Sequence, residues 1–305
     1  MILLFLLLFY SAAAYPSAIT YDLNGGRFGD CLSTYCKAQW FSFKYKLPLY
    51  YKPFEYSDQL ALSIMQKEFD QSLLNNFEKV IKVKSEDDIL AYKDQNVLFI
   101  TNFYTKSPDL YDYQFIDPRF GTLIKKMISP LQAMEVIEHK DGYATVALHV
   151  RKGGGFDKPL SNDLCAVKNA QTSDQTWPTK FPADQYYLEQ LQRLRRLIDQ
   201  NLIMLVHLFT DDPNPERIAN CYSNYLNDDS IQFIFRTEGN SHDNNVLEDF
   251  FAMTQCDYLI RSSSLYTKAA QMIGNHKMII YPIYGKWDKE KEMPIMNPIG
   301  IIIRS

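Results

Sequence analysis

The second half of the chain repeats one pattern that leaves few folds open. Short, almost wholly apolar runs at 143–150 (YATVALHV), 202–209 (LIMLVHLF), 231–235 (IQFIF), 258–261 and 277–281 alternate with longer stretches of helical period at 183–200, 215–226, 245–255 and 265–273. A strand without polar alternation is buried on both faces, and strands that take turns with helices pair in parallel with the helices covering them. An α/β fold built on a parallel sheet is therefore expected here.

The first half opens the same way. The strand-like run 17–23 leads directly into Asn24-Gly25-Gly26-Arg27-Phe28-Gly29-Asp30, a glycine-rich turn. After it Leu32, Tyr35, Cys36, Gln39, Trp40 and Phe43 recur at steps of three and four until Pro48, the period of a half-buried helix. Strand, glycine loop and helix in that order begin a Rossmann-like half, because glycines let the backbone approach a ligand at the carboxyl end of the first strand. The spacing further predicts a long helix and a short strand between 57 and 83, a helix over 85–92 and a strand over 96–101. A loop at 102–117 and a helix over 118–139 complete the half. The rhythm divides the chain into residues 15–140 and 141–305, preceded by 1–14. That N-terminal stretch is an apolar run (MILLFLLLFY) followed by small residues that fit a cleavage site. It reads as a signal peptide for the secretory pathway or secretion. An uncleaved membrane anchor, or a cytoplasmic protein if the segment is neither, are the alternatives.

Composition narrows the partners. A net charge of −4 with pI ≈ 5.8 leaves no basic footprint for nucleic acid. The five cysteines, Cys31, Cys36, Cys165, Cys221 and Cys256, form no Cys-x-x-Cys pair and have no histidine at zinc-site spacing, so no structural metal is expected.

Two constellations could carry chemistry. His149-Val150-Arg151-Lys152-Gly153-Gly154-Gly155 ends a buried strand, with His149 and Arg151 on one face. A guanidinium fork followed by glycine N–H groups at the carboxyl end of a parallel strand suits a phosphate. The same residues also read as a basic turn with His149 satisfied in the core. The second constellation runs from Glu248-Asp249 through Gln255-Cys256-Asp257 to Arg261-Ser262-Ser263-Ser264, with the serines between a strand and a helix N-terminus, where anions are attracted. Helix capping explains those serines equally well.

Taken together and in order, these motifs resemble the superfamily of α1,2-, α1,6- and protein O-fucosyltransferases. The glycine loop is similar to that family's G-G-x-G-N or G-R-F-G-N loop, and His149-Val150-Arg151-Lys152 to its H-x-R-R motif. Phe181-Pro182-Ala183-Asp184-Gln185-Tyr186-Tyr187 resembles L-P-x-x-Y-Y, Leu208-Phe209-Thr210-Asp211-Asp212 resembles F-S-D-D, and the second constellation resembles E-D-L-x-L-M-S-x-C-D with N-S-S-F-S. The likeness spans residues 19–282. It implies a glycosyltransferase B fold of two Rossmann-like domains facing a cleft, the C-terminal one holding a GDP-sugar such as GDP-fucose.

By motif position, Arg151 would grip the β-phosphate, with His149 near the phosphates or ribose. Asp249 would lie toward the guanine or ribose, and Ser263 and Ser264 at the phosphates. The loop Gly25, Gly26, Arg27, Phe28, Gly29, Asp30 would face the sugar and a glycan or glycoprotein acceptor. Such enzymes invert the anomeric centre and use no metal and no cofactor besides the donor.

The chain departs from the pattern where Gly154 replaces an acid, where Asp30 replaces Asn, and in the serine segment. A base for the acceptor hydroxyl is then sought in Asp30 or Asp157, Asp30 reading equally as a helix cap. The departures also fit a non-catalytic GDP-sugar- or glycan-binding relative of the same fold. A nucleotide-dependent oxidoreductase fits poorly, since the loop lacks G-x-G-x-x-G spacing.

Overall fold

The computed structural model describes residues 17–111, 117–152, 179–241, 243–288 and 293–304. They form two compact units, one of residues 17–110 with 117–129 and one of residue 111 with 130–304. The N-terminal run 1–14 lies outside the described residues, and among those described no helix is long and apolar enough to cross a membrane.

In the first unit β1 (Ala18–Asp22) leads through the glycine turn into α1 (Phe28–Tyr45). Gly25 and Gly26 take φ of +74° and +95°, which L-residues rarely adopt. Ser42, Lys46 and Leu47 close the helix, with Lys46 in the left-handed conformation and its N–H on the Ser42 carbonyl. β2 (Tyr50–Tyr51), α2 (Leu62–Met65), β3 (Lys67–Glu68), β4 (Lys79–Lys82), α3 (Glu86–Tyr92), β5 (Val97–Asn102) and α4 (Pro118–Ile128) follow. β1, β5 and β4 pair in parallel, in that order, and α1 packs on β1 and β5.

Two helical expectations fail here for local reasons. The short strand expected in 57–83 is present as β4, but in place of the long helix stand α2, the two-residue β3 and two short 3-10 turns. Ile64 is 73% exposed, so its apolar residues do not line one stripe, and Asp70 breaks the run by accepting a hydrogen bond from Ser72 N–H. The helix expected over 118–139 ends at Ile128, because Pro130 forces Ser129 into extended backbone (φ −60°, ψ 141°).

The second unit follows its sequence pattern closely. β6 (Tyr143–Val150), α5 (Asp184–Leu197), β7 (Ile203–Thr210), α6 (Pro215–Leu226), β8 (Ile231–Phe235), α7 (Val246–Gln255), β9 (Tyr258–Ile260), α8 (Leu265–Ile273) and β10 (Met278–Pro282) succeed one another. The hairpin of β11 (Gly285–Asp288) and β12 (Met293–Met296) and the strand β13 (Ile299–Ile303) complete it, three strands that apolar periodicity did not reveal. Six strands form one sheet in the order β13-β10-β9-β6-β7-β8, parallel except for β13, which runs against β10.

Burial follows from alternation along the strands. Val146, Leu148, Val150, Val206, Leu208, Ile260 and Ile280 point to the face where Tyr187, Leu191 and Leu194 of α5 and Ile218 and Tyr222 of α6 form the core. The opposite face meets α7 and α8. There the His149 ring packs near Tyr266, which in turn packs on Phe250. The winding therefore reverses between β6 and β9: the chain travels outward from β6 through β7 to β8, then returns to lay β9 and β10 on the other side.

Leu148 is fully buried at the centre of this core. Its truncation leaves a cavity that close-packed neighbours cannot fill, so Leu148→Ala should lower the stability of the second unit by about 2–5 kcal/mol in urea unfolding.

Candidate nucleotide-sugar site

In an open parallel sheet the point where winding reverses opens a crevice at the carboxyl ends of the two diverging strands. Here those strands are β6 and β9, and the two constellations singled out in the sequence lie on them. Val150 closes β6, so Arg151 stands just beyond the rim. Ile260 closes β9, and Arg261 to Ser264 form the turn into α8. One Arg151 guanidinium nitrogen lies 3.5 Å from Ser264 Oγ, and the guanidinium stands over the Phe181 ring, 5.4 Å from its centroid. Arg151 is 9% exposed and Ser264 4%. Ser264 is the N-cap residue of α8, yet its hydroxyl makes no capping bond, so it remains directed at Arg151. The two hydroxyl neighbours act differently. Ser263 donates to the Pro282 carbonyl at 3.4 Å, and Ser262 Oγ accepts from Ser264 N–H.

His149 sits one alternation before Arg151 on the same face. Burial, then the charges of Arg151 and Arg261, push its imidazole down to about 3, so the ring is neutral at working pH. Its Nδ1 is buried without a hydrogen-bond partner among the described residues. A neutral ring beside fixed guanidinium groups can donate or accept toward a ligand.

Residues that motif matching placed near the site prove to hold it together. Lys152, itself buried, forms an ion pair with Asp184 at the start of α5, and Tyr222 of α6 donates to the same carboxylate oxygen. The Lys152 N–H donates to Asp211 at 2.7 Å, and Asp212 N–H donates to Thr210 Oγ1. The β6 end is thereby fastened to both α5 and the β7 end, which fixes the backbone next to Arg151. Tyr186 reaches across and donates to the Arg261 carbonyl at 2.9 Å. Asp257 lies away from the crevice, at the amino end of the sheet, accepting from Thr145 N–H and Oγ1 and pairing with Lys277 at 2.8 Å.

Asp249, in the first turn of α7, pairs with Arg236 just beyond β8 at 2.9 Å. Burial raises its carboxyl above the usual range, against the opposing pull of Arg236. Arg236 carries no family motif, and sequence reasoning passed over it.

The glycine loop belongs to the first unit, where each residue has a structural task. Arg27 is the N-cap residue of α1, and Asp30 completes a capping box with its carboxylate on the Arg27 N–H at 3.3 Å. Phe28 is 3% exposed in a ring cluster with Phe54 and Tyr56, and Gly29 lies buried in the first helical turn. Asp30 thus takes the helix-capping role that its position allowed. Asp157 and Gly153 to Gly155 lie outside the described residues. Among the described residues no group of three or more His, Cys, Asp or Glu is gathered as a metal ion requires.

No protein-family model matches the chain, and no curated protein matches it in sequence. Solved structures do. A mutant of Arabidopsis thaliana FUT1 in complex with GDP superposes over 93% of this chain and 75% of its own, with TM-score 0.57 and 11% identity. POFUT1 in complex with GDP-fucose covers 87% of this chain and 96% of its own at TM-score 0.49 and 11% identity. Fucosyltransferase NodZ from Bradyrhizobium covers 95% and 99% at TM-score 0.49 and 12% identity. The superposition on FUT1 shows that the chain has the α/β fold of glycosyltransferase B type.

The buried neutral His149 makes a specific demand on acid stability. Its folded value, about 3, lies below the unfolded value near 6.5, so the unfolded chain binds the extra proton between them. Stability is complete above about pH 6.5 and falls with pH toward about 3, by at most roughly 1.4 kcal/mol per pH unit from this group. A folded His149→Asn variant should show a shallower stability loss across that window in urea titrations at successive pH values.

Proposed function

We propose that this chain is a glycosyltransferase of fucosyltransferase type, which binds a GDP-sugar at the β6–β9 crevice and moves L-fucose or a related sugar to a glycan hydroxyl. The carrying observation is the meeting of Arg151 and Ser264 at the point where the sheet reverses its winding. The fold shared with a FUT1 captured with GDP supports the reading.

The chemistry follows from where charge develops. As the bond from the anomeric carbon to the β-phosphate oxygen breaks, negative charge collects on the leaving diphosphate. A preorganised guanidinium in a water-poor pocket stabilises that charge without rearranging at the moment of reaction. Arg151 is so placed, held by Phe181 and by the tether of its neighbour Lys152, and Ser264 Oγ adds a hydroxyl to the same spot. In this reading Arg151 performs the task a divalent ion performs elsewhere, His149 adds a neutral hydrogen-bonding group, and attack from the opposite side inverts the sugar. Asp249 and Arg236 provide acceptor and donor groups for the nucleoside.

Cys221 is disulfide-bonded, whereas Cys31, Cys36 and Cys256 are free and buried. A disulfide persists in oxidising compartments, which supports the secretory placement read from the N-terminus.

A second reading has one observation in its favour. The capping box occupies Asp30, one of the two carboxylates put forward as base. A GDP-sugar-binding protein without turnover would have this loop and still keep Arg151.

Calorimetric titration of residues 15–305 with GDP, ADP and UDP, in the presence of a chelator, tests the donor site. Selective GDP binding is expected, and Arg151→Ala should abolish most of it while leaving the melting temperature nearly unchanged. Transfer or hydrolysis of GDP-fucose should fall by about a hundredfold or more in the same variant. Equal affinity for all three nucleotides would defeat the GDP reading, and GDP binding without hydrolysis or transfer to any glycan would select the non-catalytic one.

A further inference from the structure

Arg261 heads the serine turn of the second constellation but has no role among the donor contacts above. It follows β9 directly and is 2% exposed, the bulkiest fully buried side chain among the described residues. Its Nε donates to Gln271 Oε1 of α8 at 2.6 Å, and NH1 donates to the Ser262 carbonyl at 2.9 Å. The guanidinium stands over the Tyr281 ring at 4.6 Å, and its own N–H continues the ladder to the Ile280 carbonyl at 3.0 Å. With Tyr186 on its carbonyl, Arg261 is fixed from five directions beneath the turn that carries Ser264 to Arg151.

Register places it beside the site. Leu148 pairs with Ile260, so the next residue along each strand, His149 and Arg261, face one another across adjacent strands. Neighbouring strands are about 4.8 Å apart. Arg151 lies on the same face two residues beyond His149, so two guanidinium groups flank one neutral ring at the rim. In such a low-dielectric setting a fixed charge acts on a ligand it does not touch, and acts more strongly the more charge the ligand bears.

We infer that Arg261 is a positioning residue of the anion site: it props the Ser262–Ser264 turn, and its buried charge makes the site prefer a nucleoside diphosphate to the corresponding monophosphate. The inference rests on the reading of the β6–β9 crevice as the donor site.

GDP and GMP affinities, measured by calorimetry, give a ratio that a purely structural role would leave unchanged, since a distorted turn weakens both ligands alike. Arg261→Met removes the charge and should reduce the GDP/GMP affinity ratio by about tenfold. Arg261→Lys keeps the charge but loses the fork, so both affinities should drop while the ratio stays within about threefold of the original. Gln271→Glu leaves Arg261 in place and neutralises it through a carboxylate at the Nε contact. It should lower the ratio as Arg261→Met does, and it keeps the test decisive if the methionine variant does not fold. Circular dichroism and melting establish folding for each. A folded Arg261→Met or Gln271→Glu protein with an unchanged ratio overturns the role of Arg261 alone. An unaltered chain that binds neither GDP nor GMP overturns the donor site and this role with it.

Discussion

The reversal of winding between β6 and β9 governs the second unit. A parallel sheet must place its crossover helices on a face, and right-handed crossovers that run first to one side and then to the other necessarily change faces at one seam. Among the described residues no crossover roofs the strand ends at that seam, and the residues just past Val150 and Ile260 stand at its edge. Arg151, Ser264, His149 and Arg261 acquire their proximity from this topology, although more than a hundred residues of chain separate the two groups.

Charge burial is the cost of building the site. Lys152 is offset locally, because Asp184 pairs with it and Tyr222 satisfies the same carboxylate. Among the contacts of Arg151 and Arg261 are hydroxyl, amide and carbonyl oxygens and aromatic faces, which stabilise a guanidinium. Burial first, and then the charges of Arg151 and Arg261, hold the His149 imidazole neutral beside them. The neighbouring Lys152–Asp184 ion pair keeps the backbone beside Arg151 in place.

The sequence made this unit legible because burial and periodicity coincide in it. β6, α6, β8 and α8 fall on the residues expected for them, and in β6, buried on both faces, no polar position blurs the ends. Motif order picked out both Arg151 and Ser264, which the fold brings together. What hid the rest was specific. Pro130 cut α4 short through the backbone of Ser129, a local steric effect that outweighs helical period. Asp70 diverted the 57–83 segment by bonding its own neighbour. Arg236 gave no signal, and Arg261 was seen only as the head of the serine turn, because the contacts of both depend on partners, Asp249 and Gln271, brought near only by the fold.

The glycine loop shows how one sequence pattern can serve two physical ends. Its positive φ values fit a loop that approaches a ligand, yet the same geometry starts α1. At Gly26 a Cβ would stand 2.8 Å from the Asp30 Cβ, so the absence of a side chain is what lets Asp30 close over the turn and return its carboxylate to the Arg27 N–H. Releasing that carboxylate to act on an acceptor would forfeit a cap contribution of about 1 kcal/mol, a modest sum beside the barrier of glycosyl transfer but one the loop is built to retain. In the function proposed above, the preorganised charge of Arg151 serves the leaving diphosphate. For a reaction whose transition state resembles an oxocarbenium ion, where bond breaking runs ahead of attack, that is the end at which fixed charge accomplishes most.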